Sequence, residues 1–187
     1  MGNRIRIRSA RAGMTMLEIA IAVTVLAVGL GSAVYSLLTA SALERSTREQ
    51  ALALQAAESC LETLQGTEFD KTFVAFNGTA ADDEPGVASP GNDFDVVGLS
   101  PWPGDPDGLP GEIVFPGDGV ALFENVNMPQ LGMPRDLTLD DPPVVDNLDH
   151  AGDYLVLPVL VRVRWTGARG NRELVLGTTL NNERKDP

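Results

Sequence analysis

One acidic side chain, Glu18, stands alone in a long apolar segment near the start of the chain. It is the only charged residue between Arg11 and Glu44. A carboxylate in lipid costs about 2.5 to 3.5 kcal/mol at the centre of a helix, so it needs a positive partner. If the chain is cut after Gly13, the new amine of Met14 falls about one helical turn from Glu18. The spacing therefore predicts an ion pair made within a membrane.

The element that carries this carboxylate is predicted to be a membrane-spanning helix. No charged residue occurs from 19 to 43, which exceeds the roughly 20 residues that a helix needs to cross the hydrocarbon core. Four arginines precede this segment, and no basic residue follows it until Arg45. They are Arg4, Arg6, Arg8 and Arg11. The positive-inside bias then keeps the N-terminus in the cytoplasm and places most of the chain outside it.

Three other interpretations of the apolar segment fit less well. A cleaved secretory signal has an apolar core of about 7 to 15 residues, which is shorter than this one. A plain single-span anchor leaves the cost of Glu18 unexplained. A buried helix of a soluble core conflicts with both the length and the arginine-rich start.

The residues from 12 to 20, AGMTMLEIA, resemble the class III signal of type IV pilins and type II secretion pseudopilins. In that family, prepilin peptidase cleaves after the glycine and methylates the new N-terminus, and the acidic residue pairs with the amine of a neighbouring subunit. The resemblance implies cleavage after Gly13, N-methylation of Met14 and a role of Glu18 in filament assembly. The chain departs from the commonest pattern by having Met14 where phenylalanine is usual.

The resemblance also implies partners and a location. The partners would be other pilin or pseudopilin subunits, prepilin peptidase and the inner-membrane assembly platform. The protein would cross the bacterial inner membrane once, with a cytoplasmic N-terminus and a periplasmic head. Residues 56–62 and the late Trp-x-Gly sequence at Trp165 are similar to V-type minor pilins and I-type minor pseudopilins.

Beyond the apolar segment, the periodicity predicts that the helix continues with one buried face. Apolar and small polar residues recur there at alternating spacings of three and four. They are Leu43, Thr47, Gln50, Leu54, Ala57, Leu61 and Leu64. Gly66 is the first strong stop signal, so the helix is predicted to run from about Met14 to Gln65.

The chain is thus predicted to have four parts. Residues 1–13 form a leader peptide, and 14–43 form the membrane half of the helix. Residues 44–66 form its amphipathic half, and 67–187 form an extracytoplasmic head.

Within the head, residues 77–153 are rich in proline, glycine and aspartate, which predicts long acidic loops. Three short runs bounded by glycine or proline are predicted strands, at 94–99, 112–115 and 120–126. Later in the head, alternation of Val159 to Trp165 and of 172–180 predicts an antiparallel hairpin. Pro158 is expected at a strand start, an edge or a bulge, because proline cannot donate to a ladder. The predicted fold class is α+β, a long helix packed on a small antiparallel sheet.

The charge balance disfavours binding to nucleic acid. The chain has 14 basic and 26 acidic residues, and loss of the four leader arginines leaves 10 against 26, a formal charge of −16. Some acidic residues are candidate calcium ligands, because calcium takes 6 to 8 oxygen atoms. They are Asp105, Asp107, Glu112, Asp140, Asp141, Asp146, Asp149 and Asp153. None fits an EF-hand loop, solvated acidic loops are the simpler explanation, and no cofactor is otherwise expected.

No catalytic centre is expected either. The chain has one histidine, His150, and one cysteine, Cys60, so neither a two-histidine metal site nor a cysteine cluster can form. His150 lies in an acidic loop with no nucleophile motif beside it. The resemblance around Gly13, Met14 and Glu18 therefore implies a minor pilin or pseudopilin subunit. The alternative from another class is a single-span extracytoplasmic adhesin or a protein that binds calcium or another ligand.

Overall fold

The computed structural model of the protein describes residues 15–79, 81–82 and 90–182. The chain divides into two compact units, Met1–Leu43 and Glu44–Pro187. The helices are α1 (Met16–Gly66) and α2 (Phe69–Phe76), and the strands are β1 (Asp93–Phe94), β2 (Gly111–Val114), β3 (Val156–Gly167) and β4 (Gly170–Asn181). A 3-10 turn occupies Pro129–Leu131.

The predicted long N-terminal helix is confirmed as α1, which ends at Gly66, one residue beyond the predicted end. The predicted start at Met14 lies outside the described residues. α2 follows after two residues and was not predicted, because eight residues after a glycine give too short a window for a helical period to be recognised.

The predicted buried face of α1 in the second unit is partly wrong. Leu61 packs against the core and Ala57 and Leu64 are buried, but Gln50 and Leu54 are exposed, as are Leu43 and Thr47. The buried residues of this helix are instead Glu49, Ala53, Ala57 and Leu64. Two of the four are alanines, so the helix is buried through small side chains. A pattern that gives weight to large apolar residues therefore places the face incorrectly.

The four strands form one antiparallel sheet in the order β1-β2-β3-β4. β3 and β4 pair over their whole length, with Val163 opposite Leu174 and Gly167 opposite Gly170. Gly170 closes this hairpin with a φ of 100°, a conformation that a side chain disfavours. The predicted antiparallel hairpin is confirmed.

One face of β3 lies in the core of the second unit. Val159, Val161 and Val163 are fully buried and Trp165 nearly so, as the alternation predicts. They belong to one hydrophobic cluster that also contains residues of both helices, including Phe73 of α2. The α+β class is confirmed, because a long apolar helix and a small antiparallel sheet are both present.

Pro158 lies in β3 beyond the end of β2. The last β2 pair joins Val114 to Leu160, so β3 has no β2 partner at Pro158. The amides of Arg164 and Thr166 point away from β4, and the two-residue period gives Pro158 the same direction. Its missing donor therefore costs no bond to β2 or β4, and the expected edge position is confirmed.

The three predicted short strands have different outcomes. Residues 112–115 correspond to β2, whereas only Phe94 of the run 94–99 is in a strand. The strand at 120–126 is wrong. Asp118 Oδ1 accepts hydrogen bonds from the amides of Val120 and Ala121, which makes a turn at its start. Within the part of the chain that the structure describes, that run pairs only through an isolated bridge from Leu122 to Gly117.

Candidate functional site

Two of the three predicted processing and assembly residues cannot be placed. Gly13 and Met14 lie outside the described residues. Glu18 lies in the first turn of α1 and is exposed. Its amide donates to Thr15 Oγ1 at 3.3 Å, as occurs when a threonine caps the N-terminus of a helix.

This cap gives Glu18 a second physical reason for its position. Thr15 and Glu18 have the Thr-x-x-Glu spacing of a capping box, in which the acid reaches back toward the cap residue. A negative charge in the first turn also interacts favourably with the helix dipole. This capping role was not predicted, although the Thr-x-x-Glu motif is visible in the sequence TMLE at residues 15–18.

The first unit leaves its apolar side chains uncovered. Exposed fractions of Leu17, Val28, Tyr35 and Leu37 range from 68 to 73%. α1 is, among the described residues, the one helix long and apolar enough to cross a membrane. Such a surface must be covered by lipid or by other apolar chains, because water solvates it poorly.

The hydroxyl groups of this apolar segment are satisfied inside the helix. Thr24 donates to the carbonyl of Ala20 at 2.8 Å, and Thr39 donates to the carbonyl of Tyr35 at 2.9 Å. Ser36 makes the same kind of bond. These residues therefore require no water as a partner, which is the condition for polar groups within a bilayer.

In the second unit, the predicted acidic residues separate into two clusters. Asp105, Asp107 and Glu112 meet near the start of β2, where they are joined by Asp93 of β1. This first cluster was predicted without Asp93. Asp93 reaches this cluster because β1 pairs closely with β2. The close pairing depends on Gly111, which lies opposite Phe94 and has no side chain, so the Phe94 ring can occupy that space. Close approach of β1 to β2 is a tertiary feature that the sequence around Asp93 does not reveal.

The arginines of β3 neutralise one member of this first cluster. Glu112 Oε2 accepts from Arg162 Nη2 at 2.9 Å and from Arg164 Nη2 at 3.2 Å. Asp105 receives much less, because its Oδ1 lies 3.8 Å from Arg164 Nη2. Glu112 is therefore hydrogen-bonded to both arginines, whereas Asp105 has a longer ion pair with Arg164 alone.

The pKa values of the three aspartates diverge. Burial raises the pKa of Asp93 to about 6, with further increases from a hydrogen bond to Asp107 and from the charges of Asp107, Glu112 and Asp105. Burial also raises the pKa of Asp105, beside Asp107 and against the opposing effect of Arg164. The pKa of Asp107 is lowered, chiefly by the backbone N–H of Leu109. Among these three aspartates, negative charge is thus concentrated on Asp107.

The second cluster surrounds His150, which is buried. Its Nδ1 lies 3.1 Å from Asp153 Oδ1, and its Nε2 lies 3.1 Å from Asp146 Oδ1. Glu124, which is also buried, places Oε1 3.9 Å from the same Nε2. Burial lowers the pKa of His150, but the bonds to Asp146 and Asp153 and the charge of Glu124 outweigh it, so the net pKa is raised.

Glu124 was not predicted, and it holds several loop amides together. Its Oε1 accepts the N–H groups of Leu137 and Thr138, and its Oε2 accepts that of Asp146 at 3.2 Å. In the same way, Asp149 Oδ1 accepts the N–H group of Leu122 at 3.1 Å. The remaining candidates, Asp140 and Asp141, lie on the exposed part of this loop.

Three residues of the second cluster have ligand atoms close enough together to hold a metal ion. Glu124, Asp146 and His150 bring one ligand atom each within 4.8 Å of one another. Each of these atoms already has a hydrogen-bond partner within the loop, so this cluster is satisfied by protons and amides. Its imidazole also suits zinc or another transition metal better than calcium.

Cys60 has the environment of an unreactive thiol. It is partly buried against the core, and burial raises its pKa to about 11. The thiol is therefore protonated near neutral pH, and the thiolate needed for nucleophilic chemistry is scarce.

Comparison of this chain with models of protein families, with curated proteins and with solved structures finds no match.

Proposed function

We propose that this protein is a structural subunit of the minor pilin or pseudopilin type. Its apolar helix is held in the bacterial inner membrane, its head lies in the periplasm, and Glu18 pairs with the N-terminal amine of a neighbouring subunit. Prepilin peptidase removes residues 1–13 and methylates Met14. The protein then acts by assembly with other subunits on the inner-membrane platform and not by converting a substrate.

The observation that carries this proposal is the position of Glu18 on the first unit. A single carboxylate begins a helix whose other side chains, up to Leu43, are uncharged and mostly exposed. Lipid alone accounts for the apolar surface and leaves the carboxylate without a partner. A sister subunit with a free amine accounts for both.

The second unit supports a structural role. It ends in a regular hairpin of β3 and β4, and its buried carboxylate Glu49 connects α1 to the turn between these strands. Glu49 Oε2 accepts the amide of Ala168 at 3.2 Å. The amphipathic half of the helix is thus an integral part of the head, as expected of a subunit that joins a membrane helix to an exported domain.

Processing tests the proposal. Protein extracted from the native membrane is expected to lack residues 1–13 and to carry a methyl group on Met14, as measured by intact-mass spectrometry. Deletion of the peptidase, or the substitution Gly13→Leu, is expected to retain the full leader. The matched control is Gly31→Leu within the apolar segment, which is expected to be cut normally. Wild-type protein that begins at Met1 in a host with active peptidase would refute the proposal.

The same measurement separates the alternative of a single-span adhesin or ligand-binding protein. Such a protein keeps its arginine-rich N-terminus as an orientation signal, and its mass does not depend on the peptidase or on Gly13. Ligand binding in the head and assembly are compatible in one chain.

A further inference from the structure

Four large apolar side chains are exposed close together in one loop of the second unit. They are Leu139, Val144, Val145 and Leu148, with exposed fractions from 46 to 62%. Among the residues that the structure describes, the second unit exposes eight large apolar side chains, so half of them lie within 139–148. Single apolar residues on a surface are ordinary, whereas a concentrated group of them is typical of a contact surface.

The two ends of this loop are held together by one buried carboxylate. Glu124 accepts the amide of Thr138 at 3.4 Å through Oε1 and the amide of Asp146 at 3.2 Å through Oε2. Because both oxygen atoms belong to the same side chain, the chain leaves and returns at nearly the same place. Surface loops whose ends meet in this way are compact and are frequently functional.

The apolar residues are also fixed through their backbone. Asp136 Oδ1 accepts the amide of Leu139, and Asp146 Oδ1 accepts the amide of Leu148 at 2.8 Å. Leu139 has a φ of 57°, which a residue with a side chain keeps only where its surroundings impose it. The loop therefore presents Leu139 and Leu148 in a defined arrangement on the surface.

The loop and its borders carry only negative charge on their surface. Six aspartates occur from 136 to 153, and no lysine or arginine occurs between Arg135 and Arg162. Asp140 and Asp141 are exposed and lie in the chain between Leu139 and Val144. Complementary charges orient two proteins and accelerate their association. A partner that combines apolar side chains with lysine or arginine thus matches this surface in both respects.

Two other occupants match it less well. A second copy would bring the same aspartates against each other, and the chain as a whole has a formal charge of −12. Two of its arginines, Arg162 and Arg164, are already bound to Glu112. A bilayer that contains anionic lipids attracts basic segments and would repel this acidic loop.

We propose that residues 138–148 form a docking surface for a second protein, whose contact segment presents apolar side chains flanked by lysine or arginine. Val145 and Leu148 pack against the apolar side chains of that segment, and Asp140 and Asp141 pair with its basic groups. This inference goes beyond the proposed function and does not depend on cleavage after Gly13.

Site-specific photo-cross-linking in the native host tests the proposal. The photoreactive residue p-benzoylphenylalanine replaces Val145 in the full chain, and in a matched control it replaces Val97, which is 85% exposed and lies outside the loop. Irradiation is expected to join the chain to a different protein from position 145 but not from position 97. Mass spectrometry of the joined peptide is expected to find lysine or arginine beside the apolar residue that reacted.

Two substitutions separate the charged and apolar parts of the surface. In the chain that carries the photoreactive residue at 145, Asp140→Lys is expected to lower the yield of the adduct about tenfold, because like charges then face each other. Leu148→Ser is expected to lower it by a similar factor, since less apolar surface is buried. Glu58→Lys reverses an exposed charge on α1 and should leave the yield unchanged. All variants are compared at equal amounts of protease-resistant protein.

Several outcomes would overturn the proposal. One is the absence of any protein adduct from position 145, and another is an equal yield from position 97. An adduct with a second copy would assign the loop to self-association, and an adduct with lipid would assign it to the membrane surface. Unchanged yield in both Asp140→Lys and Leu148→Ser would show that neither the charge nor the apolar side chains of the loop contribute to the contact.

Discussion

The two units of this chain treat apolar side chains in opposite ways. In the first unit, α1 exposes large residues such as Leu37 and Tyr35, and in the second unit the buried residues of the same helix are mainly Ala53, Ala57 and Leu64. The second unit buries its apolar surface within itself. The first unit leaves its apolar surface uncovered, so one helix contributes to a core in one part and exposes its apolar side chains in the other.

Two valines with similar exposure give the strongest test of this contrast. Val28 in the first unit is 68% exposed and Val120 in the second is 60% exposed. Val28→Asp is expected to impair membrane integration, because a charge near the middle of a spanning helix costs about 2.5 to 3.5 kcal/mol. Val120→Asp is expected to have no effect on integration, since this valine faces water.

Carbonate extraction of membranes measures the two variants side by side. Equal retention of both in the membrane pellet would mean that the first unit does not meet lipid at Val28.

The next largest effect is expected at Glu49, which joins α1 to the hairpin in the second unit. Glu49→Ala leaves the amide of Ala168 without its acceptor and is expected to cost about 1 to 3 kcal/mol of unfolding free energy. The ion pair with Arg45 adds little, because the arginine side chain is 71% exposed. Chemical denaturation in micelles measures the change.

Glu58→Ala is the matched control for Glu49, because Glu58 is an exposed acid on the same helix. It should change the free energy by less than about 0.5 kcal/mol. Similar losses in both variants would show that Glu49 has no special contact with the hairpin.

The smallest expected effect depends on pH and concerns His150. Its pKa is raised above 6.5 in the folded protein, by the hydrogen bonds to Asp146 and Asp153 and the charge of Glu124. The charged imidazole of His150 therefore stabilises the folded protein fully below pH 6.5. This stabilisation is lost as the pH rises through the pKa that His150 has in the folded protein. The free energy of unfolding of the wild type minus that of His150→Gln should fall over that range.

Asp140→Asn serves as the control for His150, since its effect should not vary over the same pH range. A difference between wild type and His150→Gln that grows with pH above 6.5 would contradict the charged, doubly bonded imidazole.

The regular parts of this fold could be predicted from the sequence. α1 and the β3–β4 hairpin follow periodic patterns over many residues, and these patterns reflect burial directly. The buried face of α1 in the second unit could not be predicted well, because its alanines pack closely while Leu54 is exposed. Size and hydrophobicity do not reveal which side a neighbouring element will approach.

The candidate sites were predictable to a smaller extent. The spacing of Asp105, Asp107 and Glu112 was visible, but the contribution of Asp93 depends on the pairing of β1 with β2. Glu124 gave no local signal, since its role comes from the amides of Leu137, Thr138 and Asp146. Long-range hydrogen bonds to backbone groups do not leave a pattern in the sequence.

The capping role and the assembly role of Glu18 predict different effects of two substitutions. Glu18→Gln keeps a side chain that suits a capping box but removes the charge, whereas Thr15→Ala removes the cap oxygen and keeps the charge. If Glu18 pairs with an amine, the glutamine variant is expected to be cut and inserted normally but to be depleted from filaments. Thr15→Ala should assemble nearly as the wild type does.

The most direct measurement is the fraction of processed subunit that is recovered in isolated filaments from the native host, for wild type, Glu18→Gln and Thr15→Ala. The account predicts at least a tenfold loss for Glu18→Gln and little change for Thr15→Ala. Normal recovery of Glu18→Gln would contradict it, because the negative charge would then be unnecessary for assembly.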